Sequence, residues 1–166
     1  MPDFLIRPFA WGDVPAMTAI YRHYVEDSTA TFDTVVPSEA AMAAHKFAPM
    51  VDAGHPLLVA EREGQLLAYA YASVYRPRPA YRFTCEDTIY CAPEAQGQGV
   101  GTALLQEVIE AARRFGFKQM IGVITAESKG SIRLHEKLGF RVVGTYQSVG
   151  FKFDRWLDIV HMQKGL

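Results

Sequence analysis

The sequence predicts an α/β (α+β) fold: a central mixed, mostly antiparallel sheet of six to seven strands, with one parallel pair and four flanking helices. Three observations lead there. A strand-like run, Thr84 to Cys91, is followed by a Gly-rich turn, a helix-like run from Thr102 to Phe115 and a second strand-like run from Lys118 to Thr125. A strand–turn–helix–strand unit of this length makes a right-handed crossover and sets its two strands parallel. Two further pairs of strand-like runs, Leu57–Glu61 with Leu66–Val74 and Phe140–Tyr146 with Phe151–Met162, read as antiparallel hairpins. The 166 residues are 49% apolar, which predicts one domain over residues 1–166 with a sizeable core.

Taken in order, Leu5-Ile6-Arg7 reads as a first strand. Asp13 and Pro15 mark a helix start, as N-cap and first-turn proline, and the helix runs to about Val25. Met17, Ile20, Tyr21 and Tyr24 form its apolar face. The loop after it is polar except for Phe32, a packing anchor or a substrate wall. Ser38 caps a second helix that carries Met42, Phe47 and Met50 and ends near Gly54, or earlier at Pro49. The first hairpin turns at Glu63-Gly64. Tyr75 to Tyr81 is a connection stiffened by Pro77 and Pro79. Its Arg76 and Arg78 are either solvated or a guanidinium clamp for an acid group.

Alternation along the central strand puts Thr84, Glu86, Thr88 and Tyr90 on one face, and Cys85, Asp87 and Ile89 on the other. Glu86 is then either an ordinary half-exposed carboxylate or a group aimed at whatever the next turn binds. The following helix places Leu104, Leu105, Val108, Ile109, Ala112 and Phe115 at helical spacing and stops at Gly116. A shorter helix, Ser131 to Leu138, carries His135 on or beside its buried face, where a satisfied core histidine and a catalyst both fit. Gln147 to Gly150 is read as the turn of the last hairpin.

The turn Gln96-Gly97-Gln98-Gly99-Val100-Gly101-Thr102 has the form of an anion site. The first amides of a helix lack intrahelical partners, the helix dipole adds positive charge there, and glycine admits close approach. The spacing excludes two nucleotide motifs. No lysine follows Gly101, as a Walker A loop needs. The glycines run G-x-G-x-G, and Gln119 stands where a dinucleotide fold would place an acid.

A formal net charge of -1 gives no reason to expect nucleic acid. No apolar run reaches the length of a membrane span. Met1-Pro2-Asp3-Phe4 lacks the marks of a secretory leader, and Cys85 and Cys91 are too far apart on one strand to bridge. A cytoplasmic chain with reduced thiols and no metal site is expected.

Gln96-x-x-Gly99-x-Gly101 resembles the Q/R-x-x-G-x-G/A turn of the GNAT acetyltransferases, and His135-Glu136-Lys137-Leu138-Gly139-Phe140 resembles that family's pattern at the end of helix four. Four more features are similar to its phosphinothricin and methionine sulfoximine N-acetyltransferase branch. They are the run His23 to Phe32, Arg78-x-Ala80-Tyr81, Glu86 before the turn, and Gly150-Phe151-Lys152. The resemblance covers nearly the whole chain and implies the GNAT fold, with its parallel strand pair at the acetyl-CoA site.

It also implies transfer of acetyl from acetyl-CoA to the amine of a small amino acid-like substrate. Glu86 becomes the general base, and His135 or water the proton donor to the thiolate. Ile89, Tyr90, Cys91, Gln96, Gly97, Gln98, Gly99, Val100, Gly101, Thr102, Ser128 and Ser131 become cofactor contacts. Phe32, Arg76, Arg78, Tyr81 and Thr88 become substrate contacts. Ser128 stands where many members carry an asparagine. A homodimer is implied as well. Acetylation of a peptide N-terminus, and non-catalytic sensing of acyl-CoA, are the alternative readings.

Overall fold

The computed structural model describes residues 3–166. Asp3 and Phe4 lie within them, whereas the Met1-Pro2 part of the leader reading falls outside. Seven strands form one sheet in the order β1-β2-β3-β4-β5-β7-β6. They are β1 Leu5–Pro8, β2 Leu57–Arg62, β3 Gln65–Val74, β4 Thr84–Cys91, β5 Gln119–Thr125, β6 Arg141–Lys152 and β7 Arg155–Gly165. Only β4 and β5 pair in parallel; the other neighbours run antiparallel. Four helical segments flank the sheet: α1 Val14–Asp27, α2 over residues 39–52, α3 Val100–Phe115 and α4 Lys129–Lys137. Among the described residues no helix is long and apolar enough to cross a membrane.

The core follows the two periodicities read from the sequence. Met17, Ile20, Tyr21 and Val25 of α1 and Met42, Phe47 and Met50 of α2 are buried on one side of the sheet. Leu104, Leu105, Val108, Ile109 and Ala112 of α3 are buried on the other. Phe115 is the exception on that helix: it is exposed and stacks on Phe117 at 4.9 Å. Gly116 ends α3 at φ 114°, a conformation glycine takes without a Cβ clash.

Three elements differ from the sequence reading, each for a local reason. Asp13 does not cap α1. Its carboxylate accepts the Ala10 amide at 2.8 Å and the Arg7 guanidinium at 2.9 and 2.8 Å, so it closes the preceding turn instead. Pro49 does not break α2. The helix widens to π geometry over Met42–Phe47 just before it, and a wider turn tolerates the missing donor. Ser38 does cap α2, accepting the Ala41 amide at 3.1 Å.

The last hairpin turns at Phe153-Asp154, both at positive φ, and not at Gln147 to Gly150. Those latter residues form an irregularity inside a continuous β6, with a register shift between Tyr146 and Gly150. Two consecutive positive-φ residues make the tight turn that matches strand twist, and here neither is glycine. The hairpin therefore ends on Lys152, which pairs with Arg155 across the turn.

Arg7 joins Asp13 to Glu61 and holds the α1 start on the β1–β2 edge. Its guanidinium keeps the Asp13 carboxyl below the usual carboxylate range, against the opposing effect of burial. Replacing Asp13 with alanine is expected to cost about 1.5–3 kcal/mol, the worth of charged hydrogen bonds. Because the folded pKa is depressed, that contribution is present above the unfolded pKa and fades as pH falls through the folded one. Urea denaturation of the parent and the variant at pH 7 and at pH 3 checks both the size and the convergence.

Candidate active site

The site is built where β4 and β5 part. Their register is Thr84↔Gln119, Cys85↔Met120 and Glu86↔Ile121, and it stops there although both strands continue. Hydrogen bonds at the ends of β4 show which backbone groups are left over. The Ala92 amide donates to Leu67 at 2.8 Å, and the Thr84 carbonyl accepts from Tyr75 at 3.1 Å. Even-numbered residues thus turn their backbone groups toward β3. The Phe83 carbonyl accepts from Lys118 at 2.7 Å, so odd-numbered residues turn toward β5. Asp87, Ile89 and Cys91 consequently face an open seam. Tyr90 does not offer its amide there: that group points to β3, and its ring stacks on Tyr21, Tyr24 and Tyr69.

Beyond the seam the Gly-rich turn opens α3. The Ala103 amide is the first to donate to a carbonyl of the turn, Gly99 at 3.1 Å. Among the described residues, the amides from Gly97 to Thr102 make no backbone hydrogen bond. Gly97 and Gly99 have φ of 74° and 82°, which curls these amides outward. Gly101 acts differently: a Cβ there would stand 3.2 Å from Cys91 Sγ, so it lets α3 lie close on β4.

The two glutamines of the motif face the protein rather than the concavity. Gln96 Nε2 donates to Tyr24 Oη at 3.2 Å, and Tyr24 in turn donates to the Cys91 carbonyl at 2.6 Å. Gln98 accepts from Arg62 and donates to the Glu94 carbonyl. Their side chains brace the turn while its backbone presents the donors. Tyr24, placed in the sequence only as a core residue, is the brace between α1 and the end of β4.

Adjacent carboxylates on β4 meet opposite surroundings, as strand alternation requires. Glu86 is half-buried on the α1 side, with Thr88 and Tyr71 near it. Burial and the neighbouring Asp87 carboxylate push the Glu86 carboxyl up to about 7, and Arg76 pulls it part-way back. A carboxylate titrating near neutrality is suited to taking and returning a proton.

Asp87, on the other face, is buried with His135; each side chain is 2% exposed. His135 Nε2 lies 2.9 Å from Asp87 Oδ2, and Nδ1 lies 2.7 Å from the Ser131 carbonyl. The Ser131 carbonyl and an ionised Asp87 both accept, an arrangement that favours the doubly protonated imidazole. Burial lowers its pKa, but the Asp87 charge and these two hydrogen bonds outweigh it, and the net shift is upward. The structure therefore does not bring Glu86 and His135 together. They lie on opposite faces of β4, and His135 is buried with both ring nitrogens hydrogen-bonded.

Arg76, Pro77, Arg78 and Tyr81 line a cavity of about 340 Å³. All four are exposed, and Arg76 is the one whose charge reaches Glu86. Phe32 is partly exposed yet packs on Gly150, so it is an anchor that keeps one side toward solvent. Ser128 precedes α4, and its hydroxyl makes no cap. Ser131 contributes its carbonyl to His135. Cys85 and Cys91 are free thiols, both with pKa raised by burial, to about 12 and about 11.

Residues 17–140 match the acetyltransferase (GNAT) family. The chain belongs to that family. It is 50% identical over 162 residues to a phosphinothricin N-acetyltransferase of Alcaligenes faecalis, covering 97% of this chain and 82% of that protein. It is 38% identical over 153 residues to the L-methionine sulfoximine/L-methionine sulfone acetyltransferase of Salmonella typhimurium, covering 92% of this chain and 88% of the relative. Among solved structures, a phosphinothricin acetyltransferase from Sinorhizobium meliloti in complex with acetyl-CoA superposes with a TM-score of 0.96. That match has 43% identity and covers 99% of this chain and 89% of the other. The seven-stranded mixed sheet with one parallel pair is the fold of this family.

Removing one partner of a buried ion pair strands the other, at a cost of about 3–5 kcal/mol. Asp87→Asn and His135→Leu are each expected to lower stability on that scale, and the double variant less than the sum. Thermal and urea unfolding of the four proteins form the cycle that checks it.

Proposed function

We propose that the chain is one acetyltransferase domain that moves acetyl from acetyl-CoA to the amino group of a small amino acid-like substrate. Phosphinothricin and methionine sulfoximine are the substrates the relatives suggest. The observation that carries this reading is the Glu86 carboxyl, tuned to about 7 beside a seam and a helix N-terminus of the shape acetyl-CoA fits.

The fit is chemical. Pyrophosphate oxygens match the outward amides of residues 97–102, with Val100 and Thr102 at the start of the helix dipole. An amide-bearing pantetheine arm matches the seam, where Ile89 and Cys91 have backbone groups turned to β5. Ser128 and Ser131, at the start of α4 after β5, are the remaining cofactor contacts of this reading. Acetyl-CoA supplies the activated acyl group, and the protein supplies position and a base.

An amine attacks only when neutral, and an α-amino group is partly protonated near pH 7. Glu86 takes that proton, directly or through a water. A backbone amide at Ile89 or Cys91 stabilises the oxyanion. Both His135 nitrogens are engaged, so the departing thiolate draws its proton from water. Arg76 and Arg78 hold the substrate's acid group, with Tyr81, Thr88 and Phe32 as walls. Much of the rate comes from holding two substrates together.

We also propose a homodimer in the cytoplasm. Val143, Tyr146, Val149, Phe151 and Trp156 lie exposed along β6 and β7, and Trp156 is 66% exposed. Phe151 and Trp156 are paired across the hairpin with ring centroids 5.1 Å apart, and exposed apolar side chains of this kind fit a second copy of the chain. Acetylating phosphinothricin would make the chain a herbicide-resistance determinant.

Thiol release measured over a panel of amines is the deciding experiment. Turnover of phosphinothricin or methionine sulfoximine is expected, with little on a peptide carrying a free N-terminal alanine. No turnover on any amine, with acetyl-CoA still bound, would favour the sensor reading. Glu86→Gln should lower kcat by about 10²–10⁴-fold, as for loss of a general base. In the parent, kcat/KM should rise as pH passes through about 7, because the carboxylate is the basic form; the variant should lose that limb. Arg78→Ala should raise KM for acid-bearing substrates by about 10- to 150-fold, from the worth of a charged hydrogen bond, and leave simple amines nearly unaffected.

A further inference from the structure

We propose that Lys152 is the positioning residue of the acceptor side: it holds the loop of residues 28–33 over the face that carries Glu86, and so sets affinity for the amine. The proposal rests on the acetyl-transfer reading. Its observations do not involve Glu86, and they meet the acetyl-CoA side only through the backbone carbonyl of Tyr24.

Lys152 is 5% exposed. Its ammonium donates to the carbonyls of Tyr24 at 3.2 Å, Ser28 at 2.6 Å and Thr31 at 2.9 Å. Three N–H donors meet three acceptors, and none of them is a carboxylate. A buried cation with no carboxylate bonded to it is costly, and what offsets the cost is carbonyl dipoles, helped by the Asp33 charge nearby and by the Phe153 ring 5.0 Å away. The arrangement supplies them. Tyr24 lies in the last turn of α1, and Ser28 is its C-cap. Carbonyls there have no intrahelical partner and form the negative end of the helix dipole.

The loop beyond has little structure of its own. Within it the Ala30 amide donates to Ser28 Oγ, and the Asp33 amide to Thr31 Oγ1. Its path is imposed from outside, by the tip of the β6–β7 hairpin, through three contacts. Lys152 is the first. Gly150 is the second: a Cβ there would fall 2.2 Å from the Phe32 ring, so the ring lies directly on its backbone. The third is indirect: Arg155 pairs with Glu127, which accepts Thr29 Oγ1 at 3.0 Å.

The held loop then sets the acceptor face. Thr31 Oγ1 lies 2.8 Å from Tyr21 Oη, and Asp33 accepts from the same hydroxyl. The Tyr21 ring stacks on Tyr90 at 5.2 Å, on the Glu86 side of β4. Releasing Lys152 would therefore let Phe32 and Asp33 drift from that face, while the Tyr24 side chain keeps its own bonds to Cys91 and Gln96, because Lys152 holds only the Tyr24 backbone carbonyl.

Lys152→Met keeps the stem and removes the donors. Gly150→Ala keeps the lysine and displaces Phe32. Both are expected to raise KM for methionine sulfoximine by about 10-fold or more, the scale of a lost charged hydrogen bond, with the calorimetric affinity for acetyl-CoA unchanged. Hydrogen exchange provides a readout that needs no turnover: amides of residues 29–33 should exchange faster in Lys152→Met, and those of β4 should not. An unchanged KM in both variants overturns the proposal. So does a parallel loss of acetyl-CoA affinity, which would mark general destabilisation, or unaltered exchange in the loop. If Lys152→Met does not fold, KM of Gly150→Ala decides. If the parent acetylates no amine, the acetyl-transfer reading fails on that ground alone, and the exchange result still judges the clasp.

Discussion

Past Glu86↔Ile121, β4 and β5 no longer hydrogen-bond to each other. The Asp87–His135 pair spans the structure at that point, joining β4 just past its last residue paired with β5 to α4, which follows β5. Gly122, at the parting of β5, lies against both side chains, and a Cβ there would stand 3.1 Å from the His135 ring. A buried charge pair is a poor source of net stability compared with apolar packing, yet it permits only one geometry. Here that geometry keeps the two sides of the sheet in fixed relation where strand pairing has ended. The seam depends on it, and so does the alignment of the Gly-rich turn with the face that carries Glu86.

The single-residue step from Glu86 to Asp87 along β4 sorts the carboxylates. Asp87 meets a cation and becomes a strut. Glu86 meets aromatic and hydroxyl neighbours, and the cation that acts on it, Arg76, is held at the rim by an exposed connection. Its pKa rises because its charge is poorly solvated. Were Glu86 as well paired as Asp87, it would be too weak a base near neutral pH. Two neighbouring acids on one strand thus take different work from the surroundings of each face.

What could be read from the chain beforehand was what rests on short-range pattern. Period-two alternation placed Glu86 and Asp87 on opposite faces, and helical spacing placed the buried side of α3. The glycines of residues 97–101 announced outward amides before any coordinate did. The family resemblance added roles that pattern alone left open. What escaped were contacts between residues far apart in the chain. Lys152 reaches Tyr24 across 128 positions, and Tyr24 reaches Cys91 across 67. Nothing local marks a lysine for burial. The hairpin turn at Phe153-Asp154 was hidden for another reason: a bulky residue at positive φ is rare, and Gln147 to Gly150 has the better turn composition. The π-turn that rescues Pro49 is likewise invisible to a rule that treats proline as a stop.

The seam between β4 and β5 also works as a sieve. An outer sheet edge accepts any extended strand, which is why such edges invite aggregation. This edge is internal, bounded by two strands of the same sheet and floored by Gly122 and the ion pair. A polypeptide inserted there would have to place alternate side chains into the α4 side, where His135 and Phe140 are already packed at 4.9 Å. An unbranched chain with amides at intervals, as the acetyl-transfer proposal places there, carries no such side chains and would not meet that floor. The gap therefore favours a thin chain, and β4 and β5, each still paired on its outer side, can keep this opening between them without recruiting a strand from another protein.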